Sequence, residues 1–366
     1  MRFIRPPRSA LSAALHYTAL IVLGTAVGRA QVAPVPPINT HSRAEVVEAY
    51  RNSYLSSNHV LPGWTGNVAA GAAGTVNPEY LRATLRRINY FRAMSGLPGN
   101  VVFDAVHNAH CQQAALMMAN ARMVSHEPPR SWKFYTREAA LAAQHGDLTL
   151  NWRGDQGPGA IDRYMDDFGD KNACVGHRRW LLAPSVNIMG TGIVPANGAT
   201  HPGTNVTWVT DGAPRLIEVA DDAPVAPAPT APAVSWPPVG FVPAALVFDR
   251  WSFAIPCADF RRAVVEVSKE GSRIAVAQEH PAFQSAADGS GPYLGANTLV
   301  WTLPGNVVSR NGDETYRVRL TNVIVGGQAR EFTYTVTSID PARRGRLEPS
   351  PGENGERLAG NVSGVR

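Results

Sequence analysis

The sequence predicts an α+β protein in which a mainly helical part is followed by a part made of strands. Over residues 77–210, apolar residues at helical spacing come first and strand-like runs at 187–194 and 205–209 come last. A Pro/Ala-rich segment at 211–238 follows. Within 239–340, apolar and polar residues alternate with a period of two between turn residues, which is typical of a β-sandwich.

The first thirty residues have the composition of a secretory signal peptide. Arginines between Arg2 and Arg8 precede an apolar run from Leu11 to Val27, and Gly28 and Ala30 suit a cleavage site. An uncleaved N-terminal anchor is the alternative, although the run is short for a bilayer span. We therefore expect an exported protein, secreted or periplasmic, with no transmembrane segment beyond the leader.

The net charge of +5 does not indicate a nucleic-acid-binding protein. Four of the 34 basic residues lie in the acid-free residues 1–30, so 30 basic residues face 29 acidic ones beyond them. No cluster of Lys and Arg with interleaved aromatic residues follows the leader. The sequence thus predicts no nucleic-acid partner.

The chain has three cysteines, Cys111, Cys174 and Cys257, so at least one is unpaired. Export would permit a disulfide between Cys111 and Cys174, but their spacing does not establish that they are close. No Cys-x-x-Cys is present, which argues against thiolate zinc sites and redox pairs.

The N-terminal extension, residues 31–76, is predicted to hold one short helix at 42–56. Ser42 is its N-cap and Glu45 completes a capping box. A Gly/Ala-rich stretch at 66–74 separates this helix from the main body.

Two long helices are predicted next. Asn77 and Pro78 open the first, because Asn caps helices and Pro suits the first helical position. Its apolar stripe is Leu81, Leu85, Ile88 and Phe91. The second runs from Asp104 to Met123, where His107 and His110 could share a metal, although this spacing is more typical of packing or surface residues.

His126 and Glu127 follow the second helix without forming a zinc-protease motif. Such a motif needs a second histidine four residues on in one continuous helix. Arg130 occupies that position, and Pro128-Pro129 breaks the helix.

Further helices are predicted at 134–144 and 158–168. The second ends near Asp166 and Asp167, adjacent acids that oppose the helix dipole and indicate either a solvated surface or a functional site. His177 follows a glycine and precedes an apolar run, so we expect it at the edge of a strand. At that position, His177 would be either a hydrogen-bonded core histidine or a side chain that points into a cleft.

The C-terminal part, residues 211–366, is predicted to contain a separate domain. Residues 211–238 have the composition of a semi-rigid extended linker. Residues 239–340 are predicted to form an immunoglobulin-like β-sandwich, and Asp313–Val318 resembles the tyrosine corner of such domains. The Gly/Pro/Arg-rich tail at 341–366 is predicted to be disordered.

Several motifs over residues 77–210 together resemble the CAP superfamily, which includes cysteine-rich secretory, antigen-5-like and pathogenesis-related proteins. The variant resembled most is a bacterial form with Gly-His-Arg-Arg-Trp. The segments that carry the resemblance are, in order, Ile88–Arg92, Ala114–Ala119, Ser125-His126, Tyr164–Asp167 and Gly176–Trp180.

The resemblance implies an α-β-α sandwich whose cleft holds two histidines and two acids, which in some members bind a divalent metal such as zinc. By motif, the histidines are His126 and His177. One acid is Asp167 or its neighbour Asp166. Two imidazoles and one carboxylate would suit Zn²⁺ with an open fourth position.

The second acid of the family belongs to a Gly-Glu-Asn-Leu-type motif, and this chain departs from it. The matching region reads His145-Gly146-Asp147-Leu148, without glutamate at the expected place. Glu138 or His145 could substitute, although neither matches the motif. Both join His126, Asp166, Asp167 and His177 as predicted cleft-lining residues.

Three functions follow from these observations. The first is a non-enzymatic binding module whose cleft takes a small ligand, a lipid or a cell-envelope component. The second is a metal-dependent hydrolase using His126, His177 and Asp167. The third is an envelope-associated structural or adhesion protein. The sequence favours the first, because it contains no complete ligand set and no nucleophile elbow.

Overall fold

The computed structural model describes residues 33–198, 200–210, 233–255, 258–279, 297–305 and 313–343. The predicted signal peptide, most of the predicted linker and most of the predicted tail lie outside these residues, as does Cys257. The α-helices are α1 (Arg43–Ala49), α2 (Pro78–Met94), α3 (Ala105–Ala121), α4 (Arg137–Gln144), α5 (Pro158–Asp166) and α6 (Gly176–Leu181).

The strands form three sheets. The first has the order β1 (Val102–Phe103), β3 (Ile188–Val194), β4 (Gly203–Trp208), β2 (Gly146–Asn151). The second has the order β10 (Ala277–Gln278), β11 (Thr298–Thr302), β7 (Arg250–Ala254), β5 (Val234–Trp236). The third has the order β6 (Gly240–Pro243), β13 (Gln328–Ile339), β12 (Glu314–Val325), β8 (Val264–Lys269), β9 (Ser272–Ile274).

The predicted α+β class is confirmed. Helices surround the first sheet, and apolar side chains are buried on both of its faces in two clusters. One cluster joins α3 and α4 to Leu148 and Val206 of the sheet. The other joins α2 and α5 to Met189. This arrangement fits an α-β-α sandwich.

Close approach of α3 to the first sheet depends on glycine in β3. A Cβ atom added at Gly192 would lie 2.1 Å from the backbone carbon of Cys111. The side chain of Gln112 bridges the two elements, donating to the carbonyl of Ile193 at 2.8 Å and accepting from its N–H at 3.0 Å. The helix backbone therefore packs directly against the strand backbone.

The segment around His177 is helical, and the predicted strand there is wrong. Val175 adopts a left-handed conformation with φ of 46°, and α6 begins at the next residue. The apolar run after His177 was too short to distinguish a strand from one buried helical turn. Contact with α5 decides for the helix, because it buries Leu181 against the α2–α5 cluster.

The C-terminal β region, residues 233–343 as described, consists of the second and third sheets. Aromatic side chains pack between them, with the rings of Trp251 and Tyr316 5.6 Å apart and those of Phe253 and Phe332 5.1 Å apart. Strand β5 lies inside the segment predicted as linker, because Val234 and Trp236 are buried there by pairing with β7.

The N-terminal extension packs on the C-terminal β region. The N–H of Phe241 in β6 donates to the carbonyl of Thr40 at 2.7 Å, and Arg43 of α1 donates to the carbonyl of Asp340 at 3.0 Å. Val46 and Val47 of α1 are buried in the large core cluster that also contains residues of both parts. A segment predicted as a peripheral extension therefore helps to join the two parts.

Two sequence questions are answered directly. Cys111 and Cys174 are free thiols, so they are not bridged to each other. Among the described residues, no helix combines the length and the apolar character needed to cross a bilayer.

Candidate functional site

His177 and Asp167 form a short side-chain hydrogen bond in the helical part. Their atoms Nδ1 and Oδ1 are 2.5 Å apart. The Asp167 side chain is fully buried, while 22% of the His177 side chain is exposed. Asp167 directly follows α5 and His177 lies in α6, so the connecting residues 167–175 fold back and bring the pair together.

Both carboxylate oxygens of Asp167 are used within the protein. The second oxygen, Oδ2, accepts the backbone N–H of Arg178 at 3.1 Å. Asp167 itself is left-handed, with φ of 52°, a conformation that Asp tolerates better than most residues. The carboxylate is therefore held from two sides on a constrained backbone.

Asp147 is a third member of this group, and the sequence interpretation missed it. It lies in β2, is 3% exposed, and its Oδ2 has no hydrogen-bond partner among the described residues. Burial raises the pKa of Asp147 well above its ordinary value, the charge on His177 counteracts this, and that on Asp167 adds to it. One signal was available, because Gly146-Asp147 stands at the position where the family motif has Gly-Glu.

The surroundings of His177 favour its imidazolium form at neutral pH. Burial opposes its charged form, but the hydrogen bond to Asp167 and the charges of Asp147 and Asp167 outweigh burial and raise its pKa to about 9. A general base needs a pKa near the working pH and a free acceptor nitrogen. His177 is therefore better suited to donate hydrogen bonds than to act as a general base.

Tyr164 holds the ring of His177 in place. The two rings stack with centroids 5.1 Å apart. The Tyr164 hydroxyl lies 2.9 Å from Oδ1 of Asn205 and 3.0 Å from the carbonyl oxygen of Asp147. Tyr164 belongs to the motif segment that ends in the paired acids, but no sequence pattern assigns a role to its ring.

His126 lies in a different environment, an open depression that we call the His126 depression. Its lining residues are His126, Glu127, Pro128, Tyr135, Arg137, Ala140, Leu141 and Gln144. The Nδ1 atom of His126 is 2.9 Å from the carbonyl of Ala143, so Nδ1 carries the hydrogen and Nε2 is the acceptor in the neutral ring. Neither Asp167 nor His177 belongs to this lining.

The other predicted cleft residues lie elsewhere. Glu138 is exposed in the first turn of α4. The ring of His145 stacks on Trp208 at 4.8 Å, and its Nδ1 is 2.9 Å from Oγ1 of Thr210. Burial raises the pKa of the half-buried Asp166, with Arg178 counteracting it. The structure groups none of the three with His126.

His107 and His110, the other histidine pair, both lie near Trp208. His107 stacks on its ring at 4.3 Å and His110 is tilted against it at 6.3 Å. These contacts agree with the packing interpretation of the pair.

Comparison with protein families identifies the helical part. Residues 85–211 match the family model CAP, described as the cysteine-rich secretory protein family. The chain carries a CAP domain. The matched residues include His126, Asp147, Asp167 and His177, while the C-terminal β region lies outside the match. No curated protein matches the chain.

A metal ion does not fit the CAP-domain residues as they are arranged. Within the described part of the chain, no three His, Cys, Asp or Glu side chains are grouped so that they could hold a metal. A metal ligand must offer a free lone pair, and the raised pKa of His177 favours its protonated ring, which has none. Zinc binding by His126, His177 and Asp167 stays a prediction.

Proposed function

We propose that this protein is an exported binding module whose CAP domain takes a small hydroxyl-bearing ligand, such as a saccharide of a cell envelope, in the His126 depression. The proposal rests on one observation. Within the described residues, no hydrogen bond or ion pair ties the side chains of Arg137, Gln144 or Tyr135 to the rest of the protein, although all three line one open depression.

The chemistry of the lining indicates the ligand class. Arg137, Gln144 and Tyr135 offer donors, while Glu127 and Nε2 of His126 offer acceptors. Hydroxyl groups both donate and accept, so a mixed lining of this kind suits several of them at once. Pro128, Leu141 and the Tyr135 ring add apolar surface for the carbon skeleton of such a ligand.

The hydrolase alternative is less well supported. It needs Asp167 and His177 as metal ligands together with His126, yet Asp167 and His177 are bonded to each other and do not line the His126 depression. An envelope-associated structural role has no specific observation in its favour. Export as a secreted or periplasmic protein is supported by the signal-peptide-like N-terminus and by the CAP domain.

The binding proposal is tested by NMR titration of the full chain with soluble oligosaccharides, namely N-acetylglucosamine tetramer, maltotetraose and mannotetraose. We expect at least one to shift resonances of the residues lining the His126 depression. Arg137→Ala should weaken that binding about tenfold, the value of one charge-assisted hydrogen bond. The matched control is Arg130→Ala, because Arg130 is also exposed nearby but does not line the depression. Equal affinities of the two variants would contradict the proposal.

A further inference from the structure

The C-terminal β region contacts the His177–Asp167 pair through Arg250, the first residue of β7. Nη1 of Arg250 donates to the backbone carbonyl of Asp167 at 2.5 Å. Its Nε donates to Oε1 of Glu279 at 3.3 Å, which fixes the guanidinium from the other side. Arg250 therefore belongs to the C-terminal β region but is hydrogen-bonded to Asp167 of the CAP domain.

Arg178 makes the reciprocal connection from the CAP domain. It is 1% exposed, and its Nη1 donates to the carbonyl of Arg250 and to Oγ of Ser252, both at 2.9 Å. Its Nε donates to the carbonyl of Met165 at 2.6 Å and its Nη2 to that of Asp166 at 3.3 Å. Buried Arg178 thus ties the end of α5 to strand β7.

Together the two guanidinium groups satisfy the C-terminal end of α5. The last carbonyls of a helix have no partner within the helix, and the negative end of its dipole favours cations. Arg178 takes the carbonyls of Met165 and Asp166, and Arg250 takes that of Asp167. The orientation of the left-handed Asp167 is therefore set partly by a residue outside the CAP domain.

We propose that Arg250 is a positioning residue of the His177–Asp167 pair. The C-terminal β region would then help to set the geometry of this pair in the CAP domain, rather than merely being attached to the domain. Arg250 acts through the backbone of Asp167, whose carboxylate in turn orients the His177 ring. This role is independent of the proposed ligand, because it concerns the geometry of the pair itself.

Simple adhesion between the two parts is the competing explanation, and the structure offers a control for it. The rings of Phe91 in α2 and Trp236 in β5 are in contact with centroids 5.1 Å apart. Phe91→Leu would weaken the interface between the same two parts without removing any bond to Asp167. Arg250 and Phe91 variants should therefore affect the His177–Asp167 bond differently.

The test observes the proton in that bond directly. In full-length protein labelled with ¹⁵N-histidine, the Nδ1 proton of His177 should resonate far downfield and exchange slowly, because it lies in a short bond to a buried carboxylate. His177→Gln identifies the resonance by its loss. Arg250→Gln should move it upfield and speed its exchange with water about tenfold, as for loss of one supporting hydrogen bond.

Three further variants make the outcome decisive. Arg250→Lys should restore part of the downfield shift, because an ammonium group can still donate to the Asp167 carbonyl. Ser252→Ala removes one bond of Arg178 and should give a smaller shift in the same direction, even if Arg250→Gln does not fold. Phe91→Leu should lower the melting temperature and leave the resonance in place. An unchanged resonance in folded Arg250→Gln, or the same change in Phe91→Leu, would overturn the proposal.

Discussion

Nδ1 of His177 lies 2.5 Å from Oδ1 of Asp167, a buried residue whose backbone is left-handed. The pair joins two short helices connected by residues 167–175, and its remaining bonds reach Arg178 and, through the backbone, Arg250. These hydrogen bonds are all made within the protein, so the contacts of this motif among the described residues are structural.

Asp167→Asn should destabilise the protein by about 3 kcal/mol at pH 7, because it leaves the buried side of a protonated His177 without its counter-charge. Asn keeps the shape and tolerates the left-handed backbone, but it replaces one of the two accepting oxygens with a donor, so the effect combines the lost charge with one lost hydrogen bond. Urea denaturation measures it. Asp170→Asn, an exposed change nearby, serves as the control and should cost well under 1 kcal/mol.

Stability should fall as the pH rises from about 6.5 to about 9, because His177 titrates over this range. The folded-state pKa of about 9 lies above the ordinary 6.5, so the group stabilises the fold fully below pH 6.5 and loses that contribution as the pH passes 9. The loss is on the order of 3 kcal/mol. Urea denaturation should show a clearly flatter pH dependence in His177→Gln, and parallel curves would refute the assignment.

Asp147→Asn should be at least as stable as the natural protein at pH 7. Burial raises the pKa of Asp147, so the fold favours its protonated form, and the penalty for ionisation grows as the pH rises above the ordinary value of 3.8. A neutral amide of the same shape avoids this penalty. The advantage should shrink on acidification toward the ordinary value of 3.8, as judged by melting temperature. A marked loss of stability at pH 7 would mean that ionised Asp147 is required.

Removal of metal should leave the protein unchanged. Since the described residues contain no group of three His, Cys, Asp or Glu side chains able to hold a metal, we expect purified protein to contain no stoichiometric zinc and EDTA to leave its melting temperature unaltered. Elemental analysis and thermal unfolding measure this. Stoichiometric zinc that disappears in both His126→Ala and His177→Gln would instead support the hydrolase alternative.

Gly192→Ala should destabilise the CAP domain by about 3 kcal/mol or more, because the new methyl group would overlap the backbone of Cys111 and force α3 from the sheet. Gly305→Ala provides the control, since a Cβ there meets no atom within 4 Å. Thermal unfolding compares the two. Similar melting temperatures would show that the helix can move without cost.

The sequence was informative wherever a local pattern determines the structure. Asn77 caps α2, and its side chain accepts the N–H of Glu79 as the capping rule predicts. Ser42 likewise caps α1, accepting the N–H of Glu45. The CAP resemblance, built on short motifs in a fixed order, is confirmed by the family match at residues 85–211.

Sequence reasoning was less successful where the answer depends on contacts between distant segments. The apolar run after His177 is a helical turn because α5 buries it, and nothing within the run itself distinguishes that from a strand. His145 was a candidate cleft residue, but its ring stacks on Trp208 of β4.

By itself, the sequence determined the α+β class, the family of the helical part and the candidate site residues His177 and Asp167, because helix caps, hydrophobic period and short motifs are read along the chain. Only the tertiary structure decided that Asp147 joins this pair, that His126 lies in a separate depression, and that Arg250 bonds to Asp167. The charge and orientation of a buried side chain are set by whatever surrounds it, and here those neighbours come from β2, α6 and β7. Arg250 is 83 positions from Asp167 along the chain, too far for any local pattern to link them.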